Sequence, residues 1–297
     1  MTDARIESYT KGDRVRHPTK PSWGLGQVLE DSTAESVRIF FVGAGEKLLG
    51  LAYVHPIKVT GPEAASTLLD NLKIKAGAEG IKFKSLPESI QYFLTEFPEG
   101  FHGERLHRHE RRYKIEAHEL GKEQLDPTVL RGLLSSRNYG EVCTRALKLV
   151  NATNLIVPNE KMALKDGLKT AAHQEKFATA LVDLLYGTTD DYEQRFMRFA
   201  TVLEEIGAAK WTTATYFPFL IFPQEHMFLK PTVTQEAADL CGFEIGYKPQ
   251  LNWKTYERVL AFSMWLFDEL TERGLKPRDM IDVQSFIWCI GPESYAA

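Results

Sequence analysis

Cysteine is scarce in this chain. Its 297 residues hold three, Cys143, Cys241 and Cys289. An odd number so widely spaced argues against a disulfide framework and for a reducing, cytoplasmic setting. Long apolar runs are also missing. No stretch approaches the roughly 18–20 residues that a membrane span needs. The opening MTDARIESYTKGDRVRH is polar and acid-containing, without the apolar centre of a secretory leader. No membrane partner is expected. Nor does one sign of charge dominate: 36 Lys and Arg against 40 Asp and Glu leave a net charge of −4. That excludes a uniformly basic nucleic-acid coat, but not a local basic face. Residues 1–60 carry 8 basic and 7 acidic side chains, and residues 61–297 carry 28 and 33, so the acidity belongs to the C-terminal part.

Familiar chemical spacings are lacking as well. Gly24-x-Gly26 has no third glycine and precedes a strand-like run, so it does not make a dinucleotide loop. Gly43-Ala44-Gly45-Glu46-Lys47 lacks the spacing of a P-loop. Both glycine pairs are expected at tight bends, where φ is positive or another backbone comes close. H-E-x-x-H, C-x-x-C and G-x-S-x-G are absent. His107 and His109, two apart on a helix, diverge by about 200° and converge poorly on one ion. No catalytic residue, metal site or cofactor is assigned.

What is present divides into two textures. Residues 8–60 alternate apolar and polar positions in short runs: Arg14-Val15-Arg16-His17, Gln27-Val28-Leu29-Glu30, Val37 to Val42, Lys47-Leu48-Leu49 and Ala52-Tyr53-Val54. Separated by Gly-Asp, Pro-Ser and Gly-Ala-Gly, they predict four or five strands in a small, strongly bent β-barrel. From about residue 63 the period becomes helical. A linker is expected over 61–85, with Ala76-Gly77-Ala78-Glu79-Gly80 as its joint. Helices are expected over 86–97, 104–120, 127–136, 139–149, 160–170, 173–186, 190–206, 234–241, 253–273 and 278–290. The aromatic run from Tyr216 to Pro231 is broken by prolines, which predicts an irregular strand or short helical turns. The expected fold is α+β and multidomain: the barrel at 8–60, then a mostly helical domain at 86–297.

The barrel residues carry a resemblance. Gly12-Asp13-Arg14-Val15-Arg16-His17, Trp23-Gly24-Leu25-Gly26-Gln27-Val28 and Val37-Arg38-Ile39-Phe40-Phe41 resemble a family of small bacterial Tudor-like (SH3-like) barrels. The resemblance covers about residues 9–59. Similar barrels occur in some repair helicases and in RNA-polymerase-binding regulators, where they generally contact RNA polymerase. The resemblance therefore implies a docking role. Within the barrel, Trp23 reads either as a cap on the core or as an exposed anchor. Arg14, Arg16 and Lys20 read as solvated charges or as a basic rim that meets an acidic protein surface or nucleic acid.

The densest charge lies from Arg105 to Lys114, five Lys or Arg against one Glu. On a helix Arg105, Arg108 and Arg112 share a face, and with Arg111 and Tyr113 they are the nucleic-acid candidates. Pairing with Glu104, Glu110 and Glu116 is the plainer reading. Glu225, His226, Asp282 and Ser285 are polar groups in apolar segments. They fit either buried backbone and helix caps or an unrecognised active site. The leading expectation is a non-enzymatic accessory protein of transcription or DNA repair, its barrel docking on RNA polymerase or another protein and its helical domain contacting nucleic acid or a partner. An enzyme with a site in the helical domain and a structural scaffold stay open as alternatives.

Overall fold

The computed structural model describes residues 8–73 and 86–291. The expected joint at 76–80, with the rest of 74–85, lies outside the described residues. The chain is α+β in two parts, an N-terminal antiparallel sheet followed by a mostly helical region. It divides into two compact units. One takes the described residues of Met1–Glu96 together with Glu236–Ile245, and the other those of Phe97–Gln235 and Gly246–Ala297.

In the first unit, strands β1 (Arg14–Arg16), β2 (Leu25–Val28), β3 (Ser36–Phe41), β4 (Gly45–Gly50) and β5 (Ile57–Val59) form one antiparallel sheet in the order β4-β3-β2-β1-β5. Alternation decides which face is inside. Val15, Val28, Val37, Ile39, Phe41 and Leu49 point to a common core with Tyr9 and Leu51, so the small sheet is barrel-like. The two glycines of the Trp-Gly-Leu-Gly stretch have separate causes. Gly24 adopts φ +70°, and a Cβ on Gly26 would stand 2.7 Å from Phe41 Cδ1. Phe40 faces the opposite way and is buried, its ring against Gly242. The segment Glu236–Ile245 thus returns to the sheet unit. Leu72 bridges Phe243, Lys73 N donates to Gly242 O at 3.0 Å, and Lys73 pairs with Asp239. The expected linker begins with a 3₁₀ turn at Gly61–Ala64 and helix α1 (Thr67–Asp70). Helix α2 (Leu86–Glu96) also belongs to this unit.

The helices that follow are α3 (Glu104–Leu106), α4 (Arg112–Gln124), α5 (Pro127–Ser135), α6 (Tyr139–Asn151), α7 (Pro158–Gly167) and α8 (Ala171–Tyr186). Then come α9 (Tyr192–Glu205), α10 (Trp211–Ile221), α11 (Pro231–Cys241), α12 (Trp253–Glu272) and α13 (Met280–Ile290). Several starts are written in local chemistry. The Asp126 carboxylate accepts from Thr128 N and Val129 N with Pro127 at the first position, and Asp191, Asn252 and Asp279 cap α9, α12 and α13.

Two expectations are corrected. The aromatic run is irregular as expected only over 222–230. From Tyr216 to Ile221 it is helical, continuing α10 with Pro218 inside the helix and every residue of α10 buried. A proline there removes one helical hydrogen bond, yet packing against α4, α8 and α9 keeps the turn. Two of its polar groups find partners outside the ladder. Tyr216 OH donates to Leu149 O at 2.8 Å, and Thr215 Oγ accepts from Leu229 N at 2.9 Å. The second correction is at 104–120, where the expected helix is continuous but carries a π-helical turn at His107–Arg111 between α3 and α4.

Candidate interaction surfaces

Trp23 caps the sheet core and keeps part of its indole open to solvent. Beneath it are His17, with ring centroids 4.7 Å apart, and Phe41, at 5.1 Å. Above it are two cations, with Lys20 Nζ 4.7 Å and Lys47 Nζ 5.8 Å from the ring centroid. The indole is half-buried, capping the core while flanked by charge. His17 is buried, and burial together with the Lys20 charge lowers its pKa. Arg16 and Lys20 are exposed. Arg14 is turned inward instead, donating to Ala64 O and pairing with Asp70 on α1, so it is committed within the fold. Lys47 was missed from sequence because its place over Trp23 depends on how β4 curls back over the 43–45 turn.

The basic segment is split by its π turn. Arg105, Arg108 and Arg112 are exposed. Arg108 and Arg112 pair loosely with Glu104 at 3.6 Å and Glu116 at 3.9 Å, and the Arg105 guanidinium lies 5.4 Å over the Phe97 ring. The expectation that Arg111 contacts nucleic acid from the surface is corrected: its side chain is buried. It makes a bidentate pair with Asp279, Nη1 to Oδ1 at 2.7 Å and Nη2 to Oδ2 at 2.6 Å, and donates to Asp282 Oδ1 at 2.8 Å. Burial opposes the Arg111 charge, but bonding to Asp279 and the Asp282 and Asp279 carboxylates outweigh it, and its pKa is raised. Tyr113 is largely enclosed, and burial raises its pKa, so it is not an open stacking platform.

The same turn encloses more charge. Lys114 is 0 % exposed; its Nζ donates to Ser285 Oγ at 2.9 Å and to Glu110 Oε2 at 3.3 Å. Burial lowers the Lys114 pKa, against the pull of Glu110, Cys289 and Asp282. Arg278 completes the group by donating Nε to Asp282 Oδ2 at 2.8 Å. The five-residue spacing of a π turn explains why two successive residues, Glu110 and Arg111, both face inward. A signal existed in the sequence. Between Leu106 and Ile115 there is no aliphatic residue, so a helix burying one face there must bury charge.

Polar groups considered for catalysis are not joined into one hydrogen-bonded set among the described residues. Ser285 Oγ donates to Ile281 O at 2.8 Å and, like Asp282, is sealed from solvent. His226 is buried between other aromatics, stacked on Tyr192 at 4.4 Å and edge-on to Phe222. Its neighbour Glu225 is exposed. No hydrogen bond among the described residues joins His226 to Asp282 or Ser285. Among the described residues no group of three or more His, Cys, Asp or Glu side chains is placed to hold a metal ion. No described helix is long and apolar enough to cross a membrane.

Residues 9–59 match the model of a family described as "Protein of unknown function (DUF3553)". The match coincides with the barrel-like sheet and its Trp23 cap. No curated protein and no solved structure matches the chain.

Proposed function

We propose that this protein is a non-enzymatic adaptor associated with transcription or DNA repair. Its sheet unit docks on a protein, and its helical region contacts nucleic acid through Arg105, Arg108 and Arg112. The observation that carries the docking role is Trp23 with Lys20 and Lys47 over its ring. A large half-buried aromatic flanked by cations suits an acidic protein surface. The resemblance to Tudor-like barrels favours RNA polymerase as that partner.

The test is capture of purified, nuclease-treated bacterial RNA polymerase. A Lys20→Glu/Lys47→Glu variant leaves the indole and its packing in place, and about tenfold weaker capture is expected. Trp23→Ala should abolish capture, with a thermal melt to separate lost docking from lost folding. Equal capture by wild type and the lysine variant would overturn the docking reading.

For the second surface, triple replacement of Arg105, Arg108 and Arg112 by glutamate should weaken binding to a short labelled duplex. It should also lower the slope of log affinity against log salt by about 2–3. The exposed glutamate pairs are cheap to exchange for phosphates. Those same pairs favour a second reading, a structural scaffold, and unchanged retention of the duplex would select it.

A further inference from the structure

We propose that the free edge of β4 accepts an extended segment of a partner protein as an added strand, with apolar and acidic side chains alternating along it. This deepens the docking reading and rests on it.

Sheet order leaves β4 and β5 at the edges. Strand β4 pairs along its whole length with β3, from Ser36↔Gly50 to Phe41↔Gly45, and no other described strand lies beside it. Strand β4 spans six residues against three in β5. Although Gly50 O already accepts from Tyr53 N and Val54 N, the edge before it can template another strand. Natural sheets blunt such edges with proline, bulges or inward charges. Strand β4, GEKLLG, has no proline and a regular register, and its one inward-facing charge is Lys47, drawn over the Trp23 ring.

Its two faces offer different chemistry. Glu46, Leu48 and Gly50 share the outer face. Leu48 is 70 % exposed there and Tyr53 is 90 % exposed. The absence of a side chain at Gly50 lets the Tyr53 ring lie against the strand, since a Cβ would stand 3.3 Å from its Cδ2. Leu48 on this face and Tyr53 beside Gly50 are thus two exposed large side chains, and Glu46 is paired with Arg38. On the other face Leu49 enters the core, while Lys47 reaches the Trp23 ring beside Lys20. Successive residues of an added strand point to opposite faces. One set would meet Leu48 and Tyr53, and the alternate set would meet two lysines near Trp23 that have no ion pair among the described residues. Apolar-acidic alternation is the complement of that arrangement.

The full chain would be titrated into a labelled peptide, Asp-Val-Asp-Phe-Asp-Val-Asp, and followed by fluorescence anisotropy. Saturable binding is expected, weakened at least about tenfold by Leu48→Glu or by Lys47→Glu. The peptide N-methylated at alternate residues, and one of the same composition with its acids in a block, should bind at least about tenfold more weakly. Leu48 is exposed and Lys47 is half-buried beside Trp23, so a melt of each variant confirms folding. Equal binding of the block or methylated peptide would overturn strand addition, as would no binding at all. Light scattering that shows a dimer lost in Leu48→Glu, without peptide binding, would overturn it in favour of self-pairing. Polymerase capture that survives Leu48→Glu but not Lys20→Glu/Lys47→Glu would reject the β4 site while leaving the docking reading intact.

Discussion

Arg111→Met is expected to destabilise the protein by about 3–5 kcal/mol, the usual cost of leaving a buried charge without its partner. The guanidinium supplies both oxygens of Asp279 and one of Asp282, and the two carboxylates are 7 % and 0 % exposed at the side chain. Asp282 keeps Arg278, but Asp279 is left with the capping N–H of Asp282 at 3.1 Å. Methionine conserves much of the volume, so the loss is electrostatic rather than a cavity. Urea midpoints at pH 7 give the measurement. Adding Asp279→Asn to Arg111→Met should recover part of the loss, because the uncompensated charge goes with it. Arg111→Lys should still be destabilising, since an ammonium cannot make the bidentate pair. A change below about 1 kcal/mol would mean that water reaches the network.

Acidification acts through a different buried group. Burial, reinforced by the Arg195 charge, lowers the His226 pKa to about 4, against about 6.5 in an unfolded chain. Below pH 6.5 the unfolded state takes up a proton that the folded state refuses. Stability therefore falls as pH drops from 6.5 towards 4, and this contribution levels off below 4. A shift of that size amounts to about 3 kcal/mol. His226→Phe should keep the stack on Tyr192 and remove the slope. Urea midpoints at pH 7, 5.5 and 4, compared between the two proteins, cancel groups common to both. His17, lowered by burial and by Lys20, and Asp13, where bonding to Lys58 and Thr10 outweighs burial to lower its pKa, are among these. Parallel curves for the two proteins would reject His226 as the source.

Much of the local structure was legible because its causes are local. Val37, Ile39 and Phe41 alternate with Arg38, so the inward face of β3 can be read directly from period two. Asp126-Pro127 announces the start of α5, and Asn252 that of α12. The surface candidates were only partly legible. Arg105, Arg108 and Arg112 are exposed as a regular helix implies, but Arg111 is not. Its position follows from one widened turn and from carboxylates 168 and 171 residues away. The exposure of Leu48 was also missed. Alternation says that Leu48 and Leu49 face opposite ways, but not which one is inside.

The sequence by itself determined the two textures of this protein, the strand runs, most helix starts, and the need for glycine in the Trp-Gly-Leu-Gly bend. Those features arise from φ and ψ preferences, capping and hydrophobic period, which act over a few residues. Tertiary structure alone decided that α10 stays helical through Pro218, that Glu236–Ile245 returns to cover Phe40, and that Arg111 and Lys114 are interior. Each of these sets a local preference against contacts far away in the chain. Burial among α4, α8 and α9 outweighs one missing backbone bond, and a complete set of ionic partners makes buried charge tolerable.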